Sequence, residues 1–399
     1  MKYKYRAIAK NGKSIDGVFE ATSEAEVIAM IKGNNYLPLQ VERDVGSEAS
    51  IELFAKKVKK KDLAVFCRQF YTMINAGLGI VKCLEILIVQ TEHKTMQAAI
   101  SDVTEDVQKG LTLSEAMKKH TMIFPTILVN MVEAGEVSGN LDSIMERMAV
   151  HFDKENKLDK KIKGSMIYPA ALIVVSVAVV IFMLVFVMPT FTGMFEGSGV
   201  PLPWPTKFLL DLSDSLKTYW YIHVGVIGLL VFGITTFRRT EDGRRFFDKM
   251  KLKLPVVKET TRKIITSRFT RTLSTLMDSG IPLIKAMEVV AKVVNNLPVQ
   301  DKITDSIEQI RKGVPLSRAI KDVDVFPPMV DSMIKIGEES GSLDDILLKT
   351  ADFYDDEVEA ALHKMTTLIE PILIVGMAVV IGFIVIAMYL PMFDMMQTI

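Results

Sequence analysis

Asn11-Gly12-Lys13-Ser14 is where a phosphate-binding loop suggests itself in this 399-residue chain. Such a loop needs a glycine five residues ahead of Gly12, between a strand and a helix. Ala7 stands at that position and the surrounding text reads as a hairpin turn, so no nucleotide chemistry is expected. The five histidines are scattered, with no HExxH, no GxSxG and no His/Cys ligand spacing. Cys67 and Cys83 lie sixteen residues apart in apolar helical text and read as reduced core thiols. No catalytic constellation and no cofactor site is expected. The carboxylates remain. Glu133, Glu136 and Asp142 are weak metal candidates, because carboxylates suit hard cations. The same acids, with Glu338 and Asp344, equally suit helix starts, where the helix dipole favours negative charge, or a basic partner surface. Asp352, Asp355, Asp356, Glu357 and Glu359 read as a solvated helix face. Glu370 directly precedes an apolar run, where it reaches headgroups or pairs with a partner's basic group.

The elements that must position these groups are mostly helices, and some cross a membrane. Apolar residues make up 49% of the chain and charged residues 24%, which fits apolar text concentrated in segments. Basic and acidic residues balance at 48 each, so global charge gives no argument for nucleic acid as a partner. Pro169 to Pro189 and Pro371 to Pro391 carry no charge and are each long enough to cross a hydrocarbon core of about 30 Å. Trp220 to Phe237 is a third span, opened by the aromatic belt Tyr219, Trp220 and Tyr221. Lysines at 154, 157, 160, 161 and 163 precede the first span, and seven basic residues from Arg238 to Lys253 follow the second. Positive loops stay in the cytoplasm. This predicts a cytoplasmic N-terminus without a cleavable signal and an external C-terminus. GSGVPLPWP, Gly197 to Pro205, reads as a rigid turn with extended Pro-rich backbone in the outer loop.

The chain also repeats itself. FCRQFYTMINAGLGIVKCLEIL from Phe66 aligns with FTRTLSTLMDSGIPLIKAMEVV from Phe269, placing Arg68 opposite Arg271 and Gly77 opposite Gly280. KGLTLSEAM matches KGVPLSRAI, and MVEAGEVSGNLDSI matches MIKIGEESGSLDDI, at a register of 202–203 residues throughout. Helical periodicity runs through both copies. The serines of LSEAM and LSRAI read as N-caps, as do Ser138 and Ser340 for the helices after the glycine turns. Gly77 and Gly280 read as helix stops.

The expected fold is an all-α membrane protein with two duplicated cytoplasmic helical bundles of about six helices each, three transmembrane helices and a small α+β N-terminal module. The boundaries read as 1–45 for that module and 46–60 for a charged linker. Domain 1 is 61–166, span 1 is 167–189, the outer loop 190–218 and span 2 219–237. Domain 2 is 238–366, span 3 is 367–391 and the external tail 392–399.

This order of motifs resembles the GspF/PilC family, inner-membrane platform proteins of type II secretion systems and type IV pili. YKYRAIAKNGKSIDGVFEA, both arginine helices, both KG..LS.A. segments, both GE.SG.LD turns and KIKGSMIYPAALIVV carry the resemblance, which covers nearly the whole chain. It implies a homo-oligomeric scaffold in the inner membrane, not an enzyme, among other inner-membrane assembly proteins and lipid. It implies contact with a hexameric cytoplasmic assembly ATPase and with pilin or pseudopilin subunits. Arg68, Arg271, Glu136, Glu338 and Glu370 are the candidate partner-interface residues. Gly376 and Gly382 permit close helix approach in the last span. The alternative is a small membrane transporter with duplicated halves, although three spans without an intramembrane charge make a poor path. A membrane-bound sensor or enzyme lacks its constellation.

Overall fold

Side chains that alternate in character, as in YKYRAI and SIDGVFE, suit strands with two unlike faces. The computed structural model describes residues 2–8, 14–20, 24–33, 36–43, 57–192 and 202–398. In it Lys2–Ile8 (β1) pairs antiparallel with Ser14–Glu20 (β2) and with Leu37–Arg43 (β3), in the order β2-β1-β3. Helix α1, Glu24–Gly33, buries Val27 and Ile31 against Ala7. The Asn11-Gly12-Lys13 turn lies outside the described residues. By its internal packing the chain divides into two units, one of them Met1–Val58 with Glu92–Ala98, the other the remainder.

In the larger unit, Phe66, Cys67 and Phe70 recur at helical spacing, and all three are buried on α2, Lys60–Asn75. Five more helices complete the first copy: α3 Ile80–Gln90, α4 Lys94–Gln108, α5 Leu113–Lys118, α6 Thr126–Ser138 and α7 Leu141–Ser165. Gly77 closes α2 with φ +85°, a conformation that costs glycine nothing. From α7 the chain runs with only a one-residue interruption into α8, Ile167–Phe182, a π-turn at Met183–Val187 and α9, Met188–Thr192.

Trp204–Thr218 forms helix α10. The expectation of extended Pro-rich backbone fails at Trp204 and Pro205, because proline in the first turn of a helix loses no hydrogen bond and is preset in φ. Helix α11, Trp220–Phe237, buries nothing, with Leu229 and Phe232 72% and 71% exposed. An apolar helix exposed on all faces needs lipid. After α12, Glu241–Lys253, the second copy repeats the first: α13 Pro255–Asp278, α14 Leu283–Val293, α15 Leu297–Arg311, α16 Leu316–Lys321, α17 Pro328–Ser340 and α18 Leu343–Thr398. The 56 residues of α18, rising about 1.5 Å each, make a rod of about 84 Å that is part bundle and part span. Among the described residues three helices are long and apolar enough to cross a membrane, lying within Leu141–Phe191, Trp220–Phe237 and Leu343–Pro391.

Helix α10 fastens the far ends of the two equivalent spans. Pro391 has no N–H to give the carbonyl of Ala387, four residues back. The buried hydroxyl of Thr206 donates to that carbonyl instead. In the first span the π-turn moves the bond to the fifth residue, as Met188 N–H to Met183 shows, so Pro189 fails the carbonyl of Leu184. The buried Ser213 hydroxyl donates there at 2.6 Å. Leu209 packs between them against Leu184, Met188, Ile384 and Met388. Gly376 and Gly382 have nothing within 4 Å of where a Cβ would stand, so close approach does not account for either among the described residues.

Candidate functional site

The two copies meet along a seam between α7, α13 and α18. Leu158 of α7 packs with Val358, Leu362 and Met365 of α18, joined by Ile162 and Ile264. Charges continue the seam. Lys154 bonds Asp352 at 3.1 Å, Arg268 bonds Asp159 at 2.8 Å, and Lys161 bonds Glu359. Arg147 pairs with Asp278, and Lys285 lies 3.6 Å from Glu133. Each of these pairs joins a residue of one copy to a residue of the other.

The acidic run of α18 is solvated, with Asp352, Asp356 and Glu359 exposed, but most of it is paired. Asp352, Asp355, Glu357 and Glu359 take partners from Arg271, Lys154, Lys263 and Lys161. Basic groups on α7, 198 residues away, and on α13, more than 80 residues away, complement it, which no local pattern shows. Burial acts to raise the Asp352 carboxyl, but hydrogen bonds from Arg271 and Lys154 outweigh it and hold the group below the ordinary carboxylate range. Glu155 likewise sits low. Burial is opposed there by the charges of Arg268 and Lys60, the latter 2.5 Å away.

The twin arginines differ. Arg271 is 5% exposed and its guanidinium bonds Asp352 at 2.9 Å and Asp355 at 2.6 Å, tying α13 to α18. Arg68 is exposed on α2. Its carboxylate counterpart by register is Asp153, which lies low because Lys157 bonds it, with the charge of Arg68 adding. The counterpart of Asp352 is Val150, so the first copy lacks the second acid that would draw Arg68 in. His151 is buried beside this seam and its Nδ1 has no hydrogen-bond partner. Burial pushes its imidazolium down to about 4.

The repeated Gly-Glu-x-Ser-Gly-x-Leu-Asp segment has a physical explanation at each position. A Cβ on Gly135 would stand 3.2 Å from the Leu141 Cα, and one on Gly337 2.9 Å from the Leu343 Cα, so both glycines admit the next helix. Glu136 accepts the N–H of Leu113 at 2.5 Å and of Ser114 at 3.1 Å. Glu338 does the same for Leu316 at 2.6 Å and Ser317 at 3.1 Å. Gly139 and Gly341 end their helices at φ +74° and +70°. These contacts correct the expected caps. Ser114 and Ser317 lie inside α5 and α16, whose free N–H groups are covered by a glutamate of the next helix; Ser138 and Ser340 end α6 and α17 and point back to Gly135 and Gly337.

Glu133, Glu136 and Asp142 do not converge on one point. Among the described residues no group of three His, Cys, Asp or Glu side chains could hold a metal. Glu370 accepts the Tyr168 hydroxyl at 3.1 Å. Cys67 is fully buried and its thiol is pushed far up by desolvation. Sequence reasoning missed Lys154, Lys161 and Arg268 as seam residues. The signal was present in the lysines spaced three and four apart on α7, which were read for membrane topology alone.

Residues 66–189 and 269–391 each match the family model for "Type II secretion system (T2SS), protein F". Residues 1–42 match "Type II secretion system protein F, N-terminal domain". The chain is 37% identical to "Type IV pilus assembly protein PilC" of Myxococcus xanthus, over 99% of this chain and 95% of that protein. It is 35% identical to the protein of the same name from Thermus thermophilus, over 99% and 98%. It is 33% identical to "Type II secretion system protein F" of Vibrio cholerae, over 98% of each.

Proposed function

This chain belongs to the type II secretion system protein F family, and we propose that it is the inner-membrane platform of a type IV pilus or type II secretion machine, coupling a cytoplasmic assembly ATPase to pilin or pseudopilin polymerisation. It is a multi-pass membrane protein with a duplicated helical domain. The observation that carries the coupling role is the continuity of bundle and span. Helix α18 is unbroken, α7 to α9 is nearly so, and salt bridges lock the two bundles to each other. A push on either bundle then has a helical path into the bilayer, with Pro169 and Pro371 at the two junctions.

In this reading the bundles face the cytoplasm, as the basic residues around Lys163 and Arg239 favour. The protein works without catalysis of its own, as a homo-oligomer among other inner-membrane assembly proteins. Arg68, exposed and with a free face, is the better motor-contact candidate of the two arginines; Arg271 is committed to Asp352 and Asp355. The test is co-isolation of the full chain with its assembly ATPase. Retention that is lost in Arg68→Glu with an unchanged thermal midpoint supports the reading. ATP hydrolysis by the purified chain alone, or no association with the motor, contradicts it.

A further inference from the structure

Helix α12 follows the second span after three residues and turns sharply against its end. Gly243 sits so close that an added Cβ would stand 1.9 Å from the Phe237 carbonyl oxygen. Phe247, ten residues beyond Phe237, still has its ring centroid 6.4 Å from the Phe237 ring, and Arg238 lies over it at 5.4 Å. The helix thus passes back across the mouth of the span instead of leaving it. One side of α12 is docked: Asp248 is buried, Arg245 bonds Asp301 at 2.6 Å and Arg244 bonds Asn295 at 2.9 Å. On the other side Phe246 and Met250, four residues apart, stand 59% and 37% exposed, and Leu254 just past the helix end is 44% exposed. Lys249 and Lys253 edge that stripe, and among the described residues neither has a carboxylate partner.

We propose that α12 lies in the plane of the bilayer surface, with Phe246, Met250 and Leu254 sunk among the headgroups and Lys249, Lys253 and Arg239 paired with anionic lipid phosphates. An apolar stripe bordered by cations on a helix that runs at the end of a spanning segment suits an interfacial helix. Each lysine near an anionic surface adds attraction that a soluble protein partner of mixed charge does not offer. The docked side of the same helix carries this anchoring to α15, so the second bundle is held to the membrane by a rigid bracket as well as through α18.

The full chain is tested in vesicles of equal parts phosphatidylcholine and phosphatidylglycerol, with a fluorophore on Met250→Cys or Phe246→Cys. Cys67 and Cys83 remain, since both are buried. Reference labels sit at Val231→Cys, midway along α11, and at the exposed Glu308→Cys. A shallow lipid-borne quencher is expected to remove about half or more of the emission at 250, as insertion by about 5–10 Å requires. It should leave 308 bright. Replacing Lys249 and Lys253 with Gln, or omitting phosphatidylglycerol, is expected to cut that quenching about twofold. Iodide access at 250 equal to that at 308 would overturn the inference. So would a label shielded from both quenchers, which would put another protein surface over the stripe. Quenching indifferent to charge and lipid would overturn the phosphate pairing. Absence of lipid quenching at 231 would remove the span itself, and the inference with it.

Discussion

Tyr168 and Glu370 occupy the same position of the two repeats, 202 residues apart in sequence, and hydrogen-bond to each other at 3.1 Å. When a residue touches its own counterpart, the local axis relating the copies passes close to the pair, as in an isologous dimer. Both residues immediately precede the prolines that open the spans. Their bond therefore fixes the spacing of the first and third spans where they leave the bundles. Tyr168→Phe and Glu370→Gln are expected to be non-additive in the thermal midpoint of detergent-solubilised protein. Additive effects would mean that the pair bears no load.

Substitution of the equivalent arginines should give unequal results. Arg271→Ala leaves Asp352 and Asp355 without their guanidinium and should cost about 2–3 kcal/mol, less than a fully buried pair because Asp352 is half exposed. Arg68→Ala should stay within about 0.5 kcal/mol, as for an exposed residue. Adding Asp355→Asn to Arg271→Ala should recover part of the loss. Equal costs at 68 and 271, read by thermal unfolding, would contradict the asymmetry.

Acid should loosen the seam in a defined window. His151 is held neutral by burial down to about pH 4, whereas an unfolded histidine takes up its proton near 6.5. The unfolded chain alone gains a proton between these values, so stability is complete above 6.5 and falls as pH drops toward 4, by on the order of 3 kcal/mol. The lowered carboxyls of Glu155 and Asp352 extend the loss below that range. His151→Phe, which installs the residue found at the equivalent position 353, should flatten the midpoint between pH 6.5 and 4. An unchanged slope would show that His151 is already charged in the fold.

The hydroxyls of α10 should matter more than their small size suggests. Thr206→Val and Ser213→Ala each strand a buried carbonyl that proline cannot serve, at a cost of about 1 kcal/mol or more in the thermal midpoint. Ser176→Ala, whose hydroxyl only doubles a bond within its own helix to Leu172, should be silent. The three variants behaving alike would remove the fastening of the spans by α10.

What the sequence made legible was local or periodic. Phe66 and Phe70, the charge-free runs ending at Pro189 and Pro391, and the register joining Arg68 to Arg271 all follow from spacing along the chain. What it hid depends on residues far apart. Asp352 looks unpaired until Arg271 and Lys154 are brought to it. Ser114 looks like a cap until Glu136, 22 residues on, supplies the carboxylate. Thr206 is unremarkable unless Pro391 is known to leave Ala387 unpaired. The extended reading of Trp204-Pro205 erred because proline opens helices as readily as it breaks them.

The central claim is that both copies stand on one side of the bilayer, joined along the seam. Lys109 and Lys312 hold equivalent, exposed positions in the two copies. Each is replaced by cysteine and treated with a membrane-impermeant maleimide, in intact spheroplasts and in inverted inner-membrane vesicles. The account predicts modification of both in inverted vesicles and of neither in spheroplasts. Modification of one position from each side would contradict it.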